Sequence, residues 1–267
     1  MIGHLDLVCG LASNGLSQLN RQSFRAPMHI SKPHVDAGTL VVNVVNPTAG
    51  LFEGDEVTCD VRVESGARLL LTAPSATRAH CVPGTGEARL AQHFAVQKEG
   101  WLEIWPELFI PQAGTRYRQK TRIDLDNGAG LLFFETLAPG RVASGEAFEF
   151  QWLDWETDIF YAGEKVVREK YRISPDSLRA MIAQFPTGYY ASVFLFHAAI
   201  TGTSACWRAL DAMQEESLWI GHSALRRAGW SVKILAADSV RFRKALQAVR
   251  QSCHESMGSE MPSVRRN

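Results

Sequence analysis

Val57-Thr58-Cys59-Asp60-Val61-Arg62-Val63-Glu64, followed by Ser65-Gly66 and then Leu69-Leu70-Leu71, is the run on which the fold turns. Valine and cysteine at 57, 59, 61 and 63 alternate with polar residues, the period-two pattern of a strand with one buried face. Ser65-Gly66 turns the chain, and the three leucines suit a strand buried on both faces. Further turn signals stand at Pro83-Gly84-Thr85-Gly86, Lys98-Glu99-Gly100, Ala113-Gly114 and Asp126-Asn127-Gly128. Between them the pattern predicts strands at Val41–Val45, Gln92–Gln97, Trp101–Trp105, Tyr117–Leu125, Leu131–Glu135 and Ala147–Trp152. Short strands at this spacing from Thr39 to Tyr171 mean an all-β core: sandwich, barrel or helical stack of strands. Periodicity alone does not choose among them.

Beyond Tyr171 the pattern changes. Ser174 as N-cap and Pro175 at the first helical position predict a short helix over Leu178–Phe185. Pro186-Thr187-Gly188 ends it and Tyr189–His197 reads as a strand. Ser204–Ala228 has helical spacing (Trp207, Leu210, Met213, Leu218) up to Gly229, Trp230–Ala236 reads as a strand and Ser239–His254 as a helix. The expected organisation is one domain over 1–256, a β-rich body to about 171 and an α/β cap over 172–256, with 257–267 a patternless, disordered tail. Of the cap tryptophans Trp207, Trp219 and Trp230, two are expected in the core.

Among the 267 residues, 28 basic side chains balance 28 acidic ones. That balance removes the electrostatic basis for non-specific nucleic-acid binding. No apolar run approaches the roughly 20 residues that span a bilayer, so no membrane is expected as a partner. Met1–Leu7 lacks the basic start and apolar run of a secretory signal. The five scattered cysteines (Cys9, Cys59, Cys81, Cys206, Cys253) read as reduced thiols, and a cytoplasmic location is expected. Nucleotide-loop, dinucleotide, nucleophile-elbow and paired-histidine motifs are absent, and no Cys pair has the spacing of a structural zinc site. Arg116, Arg118, Lys120 and Arg122 fall on one strand face opposite Tyr117, Gln119, Thr121 and Ile123; the stripe reads as a solvated face with edge protection, with contact to an acidic partner as the alternative.

Two polar segments interrupt the strands: Asn46-Pro47-Thr48-Ala49-Gly50-Leu51-Phe52-Glu53-Gly54-Asp55 and Thr72-Ala73-Pro74-Ser75-Ala76-Thr77. Proline pushes Asn46 to extended geometry, and Gly50 and Gly54 allow backbone conformations closed to other residues. Asp55 either caps backbone N–H groups of a turn or presents a carboxylate to a wet passage.

These segments resemble a known family, the urease accessory protein UreD, also called UreH. Its Asn-Pro-Thr-Gly-Gly-Leu-x-x-Gly-Asp is matched by Asn46–Asp55 and its Leu-Leu-Thr-x-x-x-Ala-Thr-Lys by Leu70–Arg78. Its apolar-Glu-x-x-Pro-Glu/Gln run is similar to Leu102–Glu107, and its Gly-Arg-x-x-x-Gly-Glu is matched by Gly140–Glu146. Ala26-Pro27-Met28 and Lys32-Pro33 fit an early proline-containing segment. Ala49, Glu53 and Arg78 depart from the usual residues, and Glu53 adds a charge beside Asp55.

The resemblance implies a mainly β fold, a β-helix-like stack of short strands with a few α-helices near the C-terminus. It implies a maturation factor with no catalytic residues and no tightly bound cofactor. Such a scaffold binds UreF, and through it the GTPase UreG, docks on urease apoprotein with a homodimer within the complex, and passes transient Ni²⁺ along an internal water-filled route. A passage should hold the ion weakly, through carboxylates, hydroxyls and water. The expected carboxylates are Asp55, Glu146 and Asp60, the last on the polar face of an alternating strand, with Thr72, Ser75 and Thr77 as hydroxyl neighbours. Asn46, Pro47, Gly50, Gly54, Arg141 and Gly145 are expected to shape the motifs, Arg141 by pairing with a carboxylate. His80 and Cys81 form an adjacent pair outside the motifs. The alternative is a β-rich hydrolase with paired carboxylates, Glu103/Glu107 or Asp55/Glu146.

Overall fold

The chain is strand from its first residues, in β1 (Ile2–Leu11), β2 (Ser17–Arg25), β3 (His29–Ile30), β4 (His34–Asp36) and β5 (Thr39–Val45). There follow β6 (Glu56–Val63), β7 (Arg68–Thr72), β8 (Thr77–Ala79), β9 (Ala88–Val96), β10 (Trp101–Trp105), β11 (Phe109–Pro111), β12 (Arg116–Leu125), β13 (Gly130–Leu137), β14 (Trp152–Tyr161) and β15 (Glu164–Ile173). The remainder holds α1 (Arg179–Gln184), β16 (Tyr189–Phe196), α2 (Ala205–Asp211), β17 (Leu218–Ala224), β18 (Trp230–Ala236) and α3 (Ser239–Met257). This computed structural model describes residues 1–81 and 84–264, so Pro83 and residues 265–267 of the expected tail lie outside the described residues.

β6, β9, β12 and β14 lie side by side and parallel in one sheet, of order β15-β14-β12-β9-β6-β1-β2. β5, β7, β10 and β13 do the same in the second, along β17-β18-β16-β13-β10-β7-β5-β3. Successive long strands alternate between the sheets, so the chain winds as a coil and each turn stacks on the last. The structure is therefore the helical stack, a β-solenoid-like body. Antiparallel β1–β2 and β14–β15 pairs close its ends. The two characters read in the opening run have a topological cause. β6 exposes Thr58, Asp60 and Arg62 on the outer face of the first sheet. β7 is buried on both sides, in a second sheet whose outer face α2 and α3 cover along β10, β13, β16 and β18.

Three expectations need correction. Ala147–Trp152 is not a strand: Phe148 and Phe150 point into the core as alternation requires, but Phe148 has φ +57° and the ladder starts only at Trp152. Ser204–Ala228 is not one helix either. α2 stops at Asp211, and Leu218–Ala224 pairs antiparallel with β18. Gln214 fixes the reversal by bonding both the N–H (3.1 Å) and the C=O of Ile220. Local helical spacing gave way to a sheet edge that the cap had to complete. The basic stripe is on the outer face, but β12 is a central strand, so it protects no edge. Trp207 is buried and Trp230 half-buried, while Trp219 is 45% exposed. Of the expected tail, residues up to 264 are described, and there Pro262 is buried with its carbonyl accepting from Arg250 (2.8 Å).

Candidate functional site

The polar segments are the connections at one end of the coil. Asn46 forms an Asx-type turn in which Oδ1 accepts from the Thr48 N–H (2.9 Å) and hydroxyl (2.6 Å). Gly50 has φ +149°, and a Cβ there would lie 2.3 Å from the Arg78 carbonyl oxygen. Only glycine lets the first segment run this close to the second. The result is a cavity of about 300 Å³ between the sheets, with Asn46, Thr48, Thr72, Ser75, Thr77 and Gln92 among its lining residues. The expected hydroxyl set is thus brought together.

The expected carboxylates are not. Asp55 is buried, with Oδ2 accepting from the Phe52 N–H (2.8 Å) and Oδ1 2.5 Å from the α-amino nitrogen of Met1. Glu146 pairs with Arg141 (Nε to Oε2, 2.9 Å), whose hydrogen bond holds it below the usual carboxylate range. The partnership expected for Arg141 is therefore with Glu146, across the 3-10 turn that Gly145 closes at φ +80°. Asp60 sits on the outer face, 3.0 Å from His93 Nδ1. None of the three lines the cavity. Glu53 accepts from the Gly86 N–H (2.6 Å) and from Arg116 (3.4 Å), a bracing contact. His80 stacks on Phe52 at 4.6 Å. Among the described residues no three His, Cys, Asp or Glu side chains come together as a metal-holding group.

The pairs named for hydrolysis are separately occupied. Glu103 is wholly buried between Arg250 and His254 Nε2 (3.1 Å). Burial alone would push Glu103 up, but those hydrogen bonds outweigh it and hold it below the usual range. Glu107 lies 3.5 Å from Arg243.

What the sequence reading missed begins at Gln92. In the first sheet Gln92, Thr121, Thr157 and Glu169 occupy one register across β9, β12, β14 and β15. In the second, Glu135, Ser192 and Lys233 occupy one register across β13, β16 and β18. Residues paired across a ladder, parallel in β9–β12–β14 and antiparallel in β14–β15 and β13–β16–β18, face the same side, so one inward polar position becomes a line of them.

Hydrogen bonds run along this seam. Thr121 donates to Gln92 (3.0 Å); Gln119 donates to Glu135 (2.9 Å), as do Trp155 Nε1 (2.8 Å) and Thr157 (2.9 Å). Farther along, Ser192 (2.7 Å), Tyr190 (3.1 Å) and Lys233 (2.6 Å) donate to Glu169, where Lys233 is part-exposed. Glu135 is only 7% exposed, yet every group bonded to it is neutral. Burial raises it to about 7; the Trp155 and Thr157 bonds oppose this incompletely, and the charge of Glu169 adds to it. A signal was in the sequence: Glu135 is the lone acid in Leu131-Leu132-Phe133-Phe134-Glu135-Thr136-Leu137, whose strand is buried throughout.

The family described as UreD urease accessory protein matches the chain over residues 1–267. Among curated relatives, Urease accessory protein UreD of Opitutus terrae is 41% identical over 93% of this chain and 92% of its own. The Deinococcus radiodurans protein of the same name is 33% identical over 99% and 94%, and that of Herpetosiphon aurantiacus 31% over 91% and 84%. The chain belongs to the UreD family of urease accessory proteins.

Proposed function

From membership of that family we infer that this chain is a non-catalytic maturation scaffold in the cytoplasm. It docks a UreF partner, and with it the GTPase UreG, on urease apoprotein, and it conducts Ni²⁺ between them through its interior. The observation that carries the interior route is the seam from the largely apolar cavity into which Thr72, Ser75, Thr77 and Gln92 bring polar groups, past Glu135, to Glu169 and the part-exposed Lys233.

A solenoid core has no structural need for a buried carboxylate ringed by neutral donors, and placing one there costs stability. A passing dication changes that balance, because it favours the ionised form. Near neutral pH Glu135 exchanges a proton for the cation with little cost in either direction. Hydroxyl and amide oxygens on either side hold a divalent ion weakly enough to release it. Asp55 enters as a residue that stabilises the cavity's first connection and Glu146 as one that braces the turn at 141–146, each already neutralised by a neighbour.

The test is reconstitution of urease activation from purified apoprotein, UreF, UreG and this chain. Glu135→Gln is expected to assemble the complex and lose about tenfold or more in nickel loading. Asp55→Ala and Glu146→Ala are expected to act through stability. Normal loading by Glu135→Gln within an intact complex would remove the interior route. Failure of the wild-type chain to co-purify with UreF would remove the scaffold.

A further inference from the structure

The solenoid's opposite end, where the turns at 64–67, 97–100 and 126–129 stack, holds a second cavity of about 210 Å³. Arg68, Trp101, His197, Tyr161 and Phe196 line it. Glycine makes it: a Cβ at Gly130 would lie 2.5 Å from the Trp101 ring, and one at Gly229 2.6 Å from Phe196. We propose that it is a binding site for a small free oxyanion, held by Arg68, the Trp101 indole N–H and His197 Nε2–H.

The lining sets three donors, Arg68, Trp101 and His197, against one carboxylate, that of Glu99. Arg68 is half-buried and, among the described residues, has no carboxylate within ion-pair distance; its one side-chain bond is from Nε to the Thr39 hydroxyl at 3.4 Å. Its guanidinium lies 5.7 Å from the Trp101 ring centroid. Trp101 Nε1 is buried without a hydrogen-bond partner. His197 Nδ1 accepts from the Ala199 N–H (3.2 Å), which places the ring proton on Nε2. No acceptor among the described residues meets that proton.

Two acids are near, and neither satisfies these donors. Glu103 spends its oxygens on Arg250 and His254, and Glu99 is exposed, 3.7 Å from Lys98. Burying donors this way costs free energy unless an acceptor joins them. A carboxylate- or phosphate-sized oxyanion presents oxygens to the fork of Arg68 and to both ring N–H groups at once. The volume accommodates such an ion together with water.

The probe is inorganic phosphate added to the ¹⁵N-labelled full chain against chloride of matched ionic strength, with acetate as the planar counterpart. The readout is the Trp101 indole and His197 ring signals. Both are expected to shift to saturation. Arg68→Gln should weaken binding at least about tenfold, and Trp101→Phe, which keeps the ring and loses the donor, by several-fold. Arg68→Lys should fall between wild type and Gln, and Lys98→Gln should bind as wild type. Shifts that stay linear with both anions, saturation unchanged in Arg68→Gln, or equal weakening in Lys98→Gln would each overturn the proposal.

Discussion

Glu103 and Glu135 sit on adjacent parallel strands of one sheet, both buried, and on opposite faces of it. Glu103 points to the helices and meets a guanidinium and an imidazole; Glu135 points to the other sheet and meets an indole, an amide and a hydroxyl. The first is held below the usual carboxylate range, the second raised to about 7. The same side chain at similar depth is a structural clamp where cations surround it. Where neutral donors surround it, a charge is left unspent. The clamp fixes α3 to the solenoid, and the unspent charge is what the proposed cation route draws on.

The largest difference should appear on removing the clamp's cation. Arg250→Met leaves Glu103 buried beside His254 alone, and urea unfolding should show a loss of about 3–5 kcal/mol. The pair's contribution is present above the ordinary glutamate pKa and lost as pH falls through the depressed native value, so this loss should shrink in acid. A loss under about 1 kcal/mol would put Glu103 and Glu135 in the same class.

Glu135 carries the opposite sign. With its folded pKa raised from 4.5 to about 7, the stability it contributes is complete below the ordinary value and is lost as pH rises toward 7. Glu135→Gln is therefore expected to be more stable than wild type by about 3 kcal/mol at about pH 8. The gain should disappear below about pH 4.5. Thermal unfolding across that range reads it, and destabilisation at alkaline pH would contradict it.

Smaller changes probe the shell. Thr157→Val removes one donor to the Glu135 anion, so the limb on which stability falls as pH rises should extend to higher pH, with a cost of about 1 kcal/mol at neutral pH. An unmoved limb would mean that the hydroxyl does not set Glu135. Arg122→Ala, on the exposed outer face where Arg122 pairs with Asp124 at 2.7 Å, should change stability by less than about 1 kcal/mol. A larger loss would make that ion-pair lattice a second clamp.

The sequence carried the solenoid's strands in alternation and turn residues, and carried the cavity in Asn46–Asp55 and Thr72–Thr77, because those signals are local. It did not carry the seam. Gln92, Thr121, Thr157 and Glu169 are neighbours only through strand register, which periodicity leaves unspecified. Gln119 and Thr121 were visibly on the face opposite the basic stripe, yet nothing local says that face is interior on a central strand. Asp55 misled for the converse reason: a conspicuous carboxylate in a Gly-rich turn can be consumed by the turn itself, as its bond from Phe52 shows.

The most direct test uses Ni²⁺ as its own paramagnetic reporter. Added in small amounts to the isotope-labelled chain at neutral pH, it should broaden the side-chain signals of Gln92, Gln119 and Glu135 first and leave those of Asp60 and Glu103 sharp. The pattern should vanish in Glu135→Gln. Broadening confined to Asp60 and His93 on the outer face, or unchanged in Glu135→Gln, would contradict an interior route.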